Sequence, residues 1–140
     1  MRKLLVSLLF GTVLLAQNYN LILDVKDLRN DKGVVRFSLY NDSKDFPDEE
    51  LVKYYKQLSA NIVNHSAKVV FKNLPEGRYV AHILHDENKN SKLDKGFLLP
   101  EEGVGLSNYK TINLIHRPNF KDGSFLLDSD KSITIIVNYF

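Results

Sequence analysis

The chain has 140 residues, with 19 Lys and Arg against 17 Asp and Glu, four His and no Cys. Without cysteine it has no disulfide staple and no attachment point for a lipoprotein anchor, so an exported domain of this kind depends on its core. The near-balance of charge leaves no basic stripe to follow a phosphate backbone, which excludes a nucleic-acid partner.

The first sixteen residues, "MRKLLVSLLFGTVLLA", read as a secretory signal peptide. Arg2 and Lys3 form the basic start, Leu4 to Leu15 the apolar run, and Ala16 precedes the cut before Gln17. The run is short for a bilayer span, so no stable membrane insertion is expected after the signal is removed. Loss of Arg2 and Lys3 leaves 17 charges of each sign. The remaining residues, 17–140, or 140 less 16, make 124, enough for one domain with its own core. The expected location is periplasmic or secreted.

Period-two patterning dominates that domain. In "YNLILDVK" Tyr19, Leu21, Leu23 and Val25 share a face, and in "GVVRFSLY" Val35, Phe37 and Leu39 do. One segment departs from it: "FPDEELVKYYKQL" spaces Leu51, Tyr55 and Leu58 as on a helix. Pro47 stands near its first turn, and acids precede lysines along it, so a short helix is predicted over residues 48–58. "AKVVFKNL" sets Val69 and Phe71 against Lys68 and Lys72, while "GRYVAHILHD" is apolar on both faces, as a central strand is. Short strands are expected around Thr111–Ile115 and Ser124–Leu127. The second would pair with "SITIIVNYF", where Ile133, Ile135, Val137 and Tyr139 align, through a turn at Asp128–Lys131. About seven strands and one helix predict a mainly all-β, two-layer antiparallel β-sandwich.

The stretch from Glu87 to Lys110 holds few periodic residues, and loops of that length in compact domains are commonly functional or disordered. It opens on "HDENKNSKLD". Asp86, Asn88 and Asn90 stand at positions 1, 3 and 5 of a calcium-loop pattern, Lys92 offers a backbone carbonyl at position 7, and Asp94 falls at position 9. Calcium takes six to eight oxygens, which suits this spacing, with Glu102 (or Glu101) folding back as a further carboxylate. Three departures stand against it. Position 6 is Ser91 rather than Gly, position 12 is Phe97 rather than Glu, and Lys89 and Lys92 add positive charge. The competing reading is an Asx-rich turn whose side chains cap their own backbone.

Other chemistry is thinner. His82 and His85 leave opposite faces of a strand and cannot readily share a metal. Ser107 in "GLSNY", with His85 or His116 as base, lacks the closing glycine of a nucleophile elbow. "GVGLSN" neither follows a predicted strand nor opens a helix, as a nucleotide loop would. No catalytic residue is therefore assigned. The leading expectation is a non-catalytic binding or structural module of the cell envelope with an envelope or extracellular partner. The alternative is a small hydrolase-like enzyme using His85, Asp86, Ser107 and Glu102 on the loop 85–110.

An ordered set of motifs then carries a resemblance. Leu74, Pro75, Gly77 and Tyr79 form one turn; His85, Asp86 and Asn88 follow. Pro100, Glu102, Gly103, Gly105, Ser107 and Asn108 make the third block, and Pro118, Phe120, Asp122 and Phe125 a fourth. This order is similar to that of the domain-of-unknown-function family 2141, a family of uncharacterised exported bacterial proteins. The resemblance implies a transthyretin-like or prealbumin-like sandwich and no activity.

Overall fold

The structure, a computed structural model, describes residues 11–12, 14–113 and 115–140. Most of the expected signal peptide lies outside the described residues. Eight strands follow in chain order: β1 (Asn18–Val25), β2 (Val34–Tyr40), β3 (Lys56–Asn61), β4 (Ala67–Pro75), β5 (Gly77–Asp86), β6 (Gly103–Leu106), β7 (Phe125–Leu127) and β8 (Lys131–Ile135). One helical turn, α1 (Phe120–Gly123), precedes β7. Asn119 caps it by accepting the Asp122 N–H at 2.9 Å. No helix among the described residues is long and apolar enough to cross a membrane.

The strands form two sheets, as a β-sandwich requires. In the smaller, β1 lies between β4, antiparallel, and β8, parallel. The larger runs β3-β2-β5-β6 with antiparallel pairs, and β7 joins the first residues of β5. The alternating residues meet between the sheets. Leu21, Leu23 and Val25 face Val35, Phe37 and Leu39, with Val69, Phe71, Ala81 and Ile83 in the same buried cluster.

β5 is apolar on both faces because the larger sheet is covered twice. Its outer side carries Tyr40, Val80 and Leu84, and irregular chain supplies Phe46, Leu51, Tyr109 and Ile112 to cover them. This second, smaller core packs the irregular chain onto the larger sheet.

Four expectations are corrected here. The segment 48–58 is not a helix. Leu51 sits at φ +54°, the Lys53 N–H is captured by the Asp48 carboxylate at 2.7 Å, and Lys56 onward pairs with β2 as β3. Strand pairing with a long neighbour outweighs the local helical spacing. The described residues of 111–115 form no strand. The turn 128–130 does not close a hairpin: β7 pairs with β5, while β8 crosses to the other sheet beside β1. Asp130 secures that crossing by accepting the Asn20 N–H at 2.8 Å. That crossing also makes the smaller sheet mixed rather than purely antiparallel.

The long loop contains a strand, β6, which glycines had disguised. A Cβ on Gly105 would lie 2.7 Å from the Ile136 carbonyl oxygen, and one on Gly103 would lie 2.4 Å from the Tyr139 ring. The C-terminal chain crosses there, exchanging backbone hydrogen bonds between Val104 and Asn138 at 2.7 and 3.0 Å. The glycines serve close approach, not flexibility.

Candidate functional site

β5 delivers Asp86 as its last residue, with no exposed surface. Its Oδ2 accepts from Arg36 Nε at 2.6 Å and from the Ser91 N–H at 2.9 Å, and its Oδ1 accepts from the Asn90 N–H at 3.1 Å. The chain winds round this carboxylate through two left-handed residues, Lys89 (φ +59°) and Ser91 (φ +65°). Ser91 is the position where the calcium-loop pattern puts glycine, and the backbone there takes the conformation that glycine favours.

Asn88, Asn90 and Asp94 close the ring. The Asn88 and Asn90 side-chain oxygens accept from the N–H groups two residues on, at 3.1 and 3.0 Å, which makes two Asx turns. Their amide nitrogens donate to Asp94, at 2.6 Å from Asn88 and at 2.9 and 3.0 Å from Asn90. Glu102, buried just before β6, accepts from the Glu87 N–H at 3.0 Å and the Asp94 N–H at 3.3 Å. Burial pushes the Glu102 carboxyl above its ordinary value; the charges of Asp94 and Asp86 add to this, and the two N–H donors oppose it.

Five of the six residues singled out in sequence thus share one hydrogen-bonded network: Asp86, Asn88, Asn90, Asp94 and Glu102. Lys92 lies within the same loop and its N–H caps Asn90. A lone-pair count tests the fit to a hard cation. Asp86 Oδ2 has both lone pairs engaged, but Asp86 Oδ1, Asn88 Oδ1 and Asn90 Oδ1 each keep one, and the Lys92 carbonyl and both oxygens of Glu102 add more. The donors are all oxygen, as calcium prefers. Their arrangement is closed by internal hydrogen bonds, and no group of three or more Asp, Glu or His side chains among the described residues stands ready to hold a metal ion. A cation would have to displace the two amides from Asp94.

Sequence reasoning missed two partners of this loop. Arg36 neutralises Asp86; its signal was a cation on the β2 face opposite Val35 and Phe37, a face that proves to be partly covered. Arg29 clamps the loop at both ends, donating to Glu87 at 2.5 Å and to the Glu101 carbonyl at 2.9 Å. Its guanidinium also lies 4.8 Å from the Tyr139 ring centre. The Arg29 hydrogen bond pulls the Glu87 carboxyl below its ordinary value despite partial burial. No periodicity marks Arg29 in "DLRNDKG".

The two strand histidines do leave opposite faces. His85 is buried, its Nδ1 2.7 Å from the Tyr139 hydroxyl and its Nε2 2.9 Å from the Lys32 carbonyl oxygen. His82 lies on the outer face, where burial pushes its imidazole down to about 4, opposed by the charge of Asp48. Ser107 is buried and donates to the Gly123 carbonyl at 2.6 Å while accepting from the Ala81 N–H at 2.9 Å. Ala81 and His85 are four residues apart on β5, about 13 Å at the rise of a strand. Ser107 and His85 are therefore not brought together, and the hydrolase set of His85, Asp86, Ser107 and Glu102 is not assembled. His116 is exposed.

A family model for uncharacterised proteins conserved in bacteria, the domain-of-unknown-function family 2141, matches residues 23–135. Comparison with curated proteins and with solved structures finds no match.

Proposed function

Because the chain belongs to the domain-of-unknown-function family 2141, conserved in bacteria, we propose that it is an exported module of the bacterial cell envelope that binds or braces a partner rather than catalysing a reaction. Calcium orders its loop Asp86–Asp94, and the partner is another envelope or extracellular component. Export rests on the sequence of residues 1–16, with its basic start, apolar run and Ala16.

The observation that supports the calcium reading is that Asp86, Asn88, Asn90, Asp94 and Glu102 share one hydrogen-bonded network whose oxygens keep free lone pairs. The hydrolase reading has no comparable support, since Ser107 and His85 spend their polar atoms on other partners.

In this reading Asp86, Asn88, Asn90, the Lys92 carbonyl, Asp94 and Glu102 supply the oxygens, and the ion contributes rigidity alone. Affinity of about 10⁻⁴–10⁻³ M is expected, as for other extracellular modules. The test is calorimetry and thermal melting of residues 17–140 with calcium, beside a chelated control. At 100 times Kd the bound ion stabilises by about 2.7 kcal/mol, a rise of several degrees in Tm. Asp94→Ala is the informative variant, because Asp94 bonds only within the loop whereas Asp86 also holds Arg36. It should abolish the calcium response and leave the domain folded. A melting curve unmoved by millimolar calcium would reduce "HDENKNSKLD" to a turn.

A further inference from the structure

The chain between the polar loop and β6 forms a short hairpin. The Asp94 carbonyl accepts the Glu101 N–H at 2.8 Å, Lys95 pairs with Pro100, and the Gly96 N–H donates to the Leu99 carbonyl at 2.8 Å. Phe97 and Leu98 are left as a two-residue tip. Such tips ordinarily carry Asn, Asp or Gly. Here they carry two large apolar side chains, 99% and 79% exposed. The turn gains nothing from them, and a local rule broken without local gain marks a functional position.

The base of this hairpin is the candidate calcium loop itself. Asp94 belongs to both; its N–H is held by Glu102 at 3.3 Å, and Arg29 donates to the Glu101 carbonyl at 2.9 Å. Whatever orders Asp94 therefore steadies the tip.

Charge decides what the tip meets. Asp86, Glu87, Asp94, Glu101 and Glu102 are matched by Lys89, Lys92, Lys95, Arg29 and Arg36, so the loop with its two bound arginines is formally neutral. Glu49, which meets Lys95, is offset by Arg117. One calcium ion makes the loop doubly positive. Asp48, in the apolar lining beside the tip, meets no base among the described residues and takes back one of those charges. Lys89 and Lys92 are exposed and pair with no acid among the described residues. A narrow apolar tip with lysines behind it suits the boundary between lipid headgroups and acyl chains.

We propose that Phe97 and Leu98 insert into the headgroup layer of an anionic lipid bilayer, and that calcium in the loop strengthens this docking by supplying positive charge. The proposal rests on the calcium reading and names the membrane surface as its envelope partner. The contact is peripheral and needs no spanning segment.

The exported form, residues 17–140, is floated with vesicles of phosphatidylcholine and phosphatidylglycerol, and of phosphatidylcholine alone, in millimolar calcium or in chelator. Calorimetry without lipid reads calcium binding separately. Binding to the anionic vesicles is expected, tighter with calcium by about 5- to 30-fold, at about fivefold per net charge. Phe97→Ser combined with Leu98→Ser should weaken it about a hundredfold, at about tenfold per side chain, and leave the calcium heat and the melting curve unchanged. Asp94→Ala should bind alike with and without calcium. The chain has no Trp, so Phe97→Trp places a single reporter at the tip, and its emission should move to the blue on the vesicles. Calcium heat without flotation overturns the membrane reading and spares the calcium one. So does a serine pair that floats like the parent, equal binding to phosphatidylcholine alone, or an unmoved tryptophan emission. Flotation that chelator leaves unchanged overturns the role of calcium and keeps the tip. Absence of both heat and flotation overturns both readings. A parent dimer that the serine pair converts to monomer assigns the tip to a second copy of the chain instead.

Discussion

Asp86→Ala should cost far more than a loop substitution. Asp86 is fully buried, and Arg36, its partner at 2.6 Å, has a side chain only 16% exposed. Removing the carboxylate strands that guanidinium in a place that water barely reaches, and breaking one half of a buried pair typically costs about 3–5 kcal/mol. The Asn90 and Ser91 N–H groups lose their acceptor as well, but both residues are exposed, so water replaces it at small cost. For a domain of this size, 1 kcal/mol shifts Tm by about 4 °C, so a fall of about 12–20 °C is expected. Urea unfolding of the parent, Asp86→Ala, Arg36→Met and the double variant closes a thermodynamic cycle. The double variant should be more stable than Asp86→Ala alone, because the stranded charge is gone and a methionine packs in its place. A loss below about 1 kcal/mol for Asp86→Ala, or strictly additive single effects, would refute the idea that this pair anchors the loop.

Other outcomes follow from single positions. Gly33→Ala should destabilise by more than about 3 kcal/mol in urea melts, because φ is +73° and its Cβ would lie 1.9 Å from the Asp86 carbonyl oxygen. Ser91→Gly should stabilise by about 0.5 kcal/mol, since relief of the left-handed conformation slightly exceeds the entropy that glycine adds to the unfolded chain; a loss of stability would show that the Ser91 side chain matters. For His82, the folded pKa of about 4 lies below the ordinary 6.5. The unfolded state therefore binds the extra proton between those values, and stability falls as pH drops from 6.5 toward 4. His82→Phe should remove at most about 3 kcal/mol of that loss, read as the parent-minus-variant difference across the window. Exported protein, sequenced from its N-terminus, should begin near Gln17.

The sandwich was legible because its strands obey the simplest periodicity. Leu21, Leu23, Val25, Val35, Phe37 and Leu39 alternate in sequence and meet in one core. What misled was always a force that acts through space. Leu51, Tyr55 and Leu58 are spaced for a helix, yet Leu51 covers Leu84 on the outer face and Leu58 pairs with Phe37 in a strand ladder. "GVGL" carries no strand propensity in its glycines, and their reason lies in the crossing C-terminal chain, some thirty residues later. The parallel seat of β8 beside β1 is equally invisible to local reading, because a turn at Asp128–Lys131 serves a crossover as well as a hairpin.

The candidate sites divide along the same line. The polar loop could be read from spacing because Asx side chains act on the backbone two residues away, and such bonds are local by construction. Even the need for a left-handed residue at position 91 showed in the pattern, as a glycine replaced by serine. The partners that give the loop its charge balance could not be read so. Arg36 and Arg29 approach from 50 and 58 residues away, and only the pairing of β2 with β5 brings the first of them beside Asp86. The setting of His82 is more remote still from sequence. A histidine on a doubly buried strand reads as a core residue with a partner. Only three-dimensional packing shows that its Nδ1 is buried without a hydrogen-bond partner among the described residues.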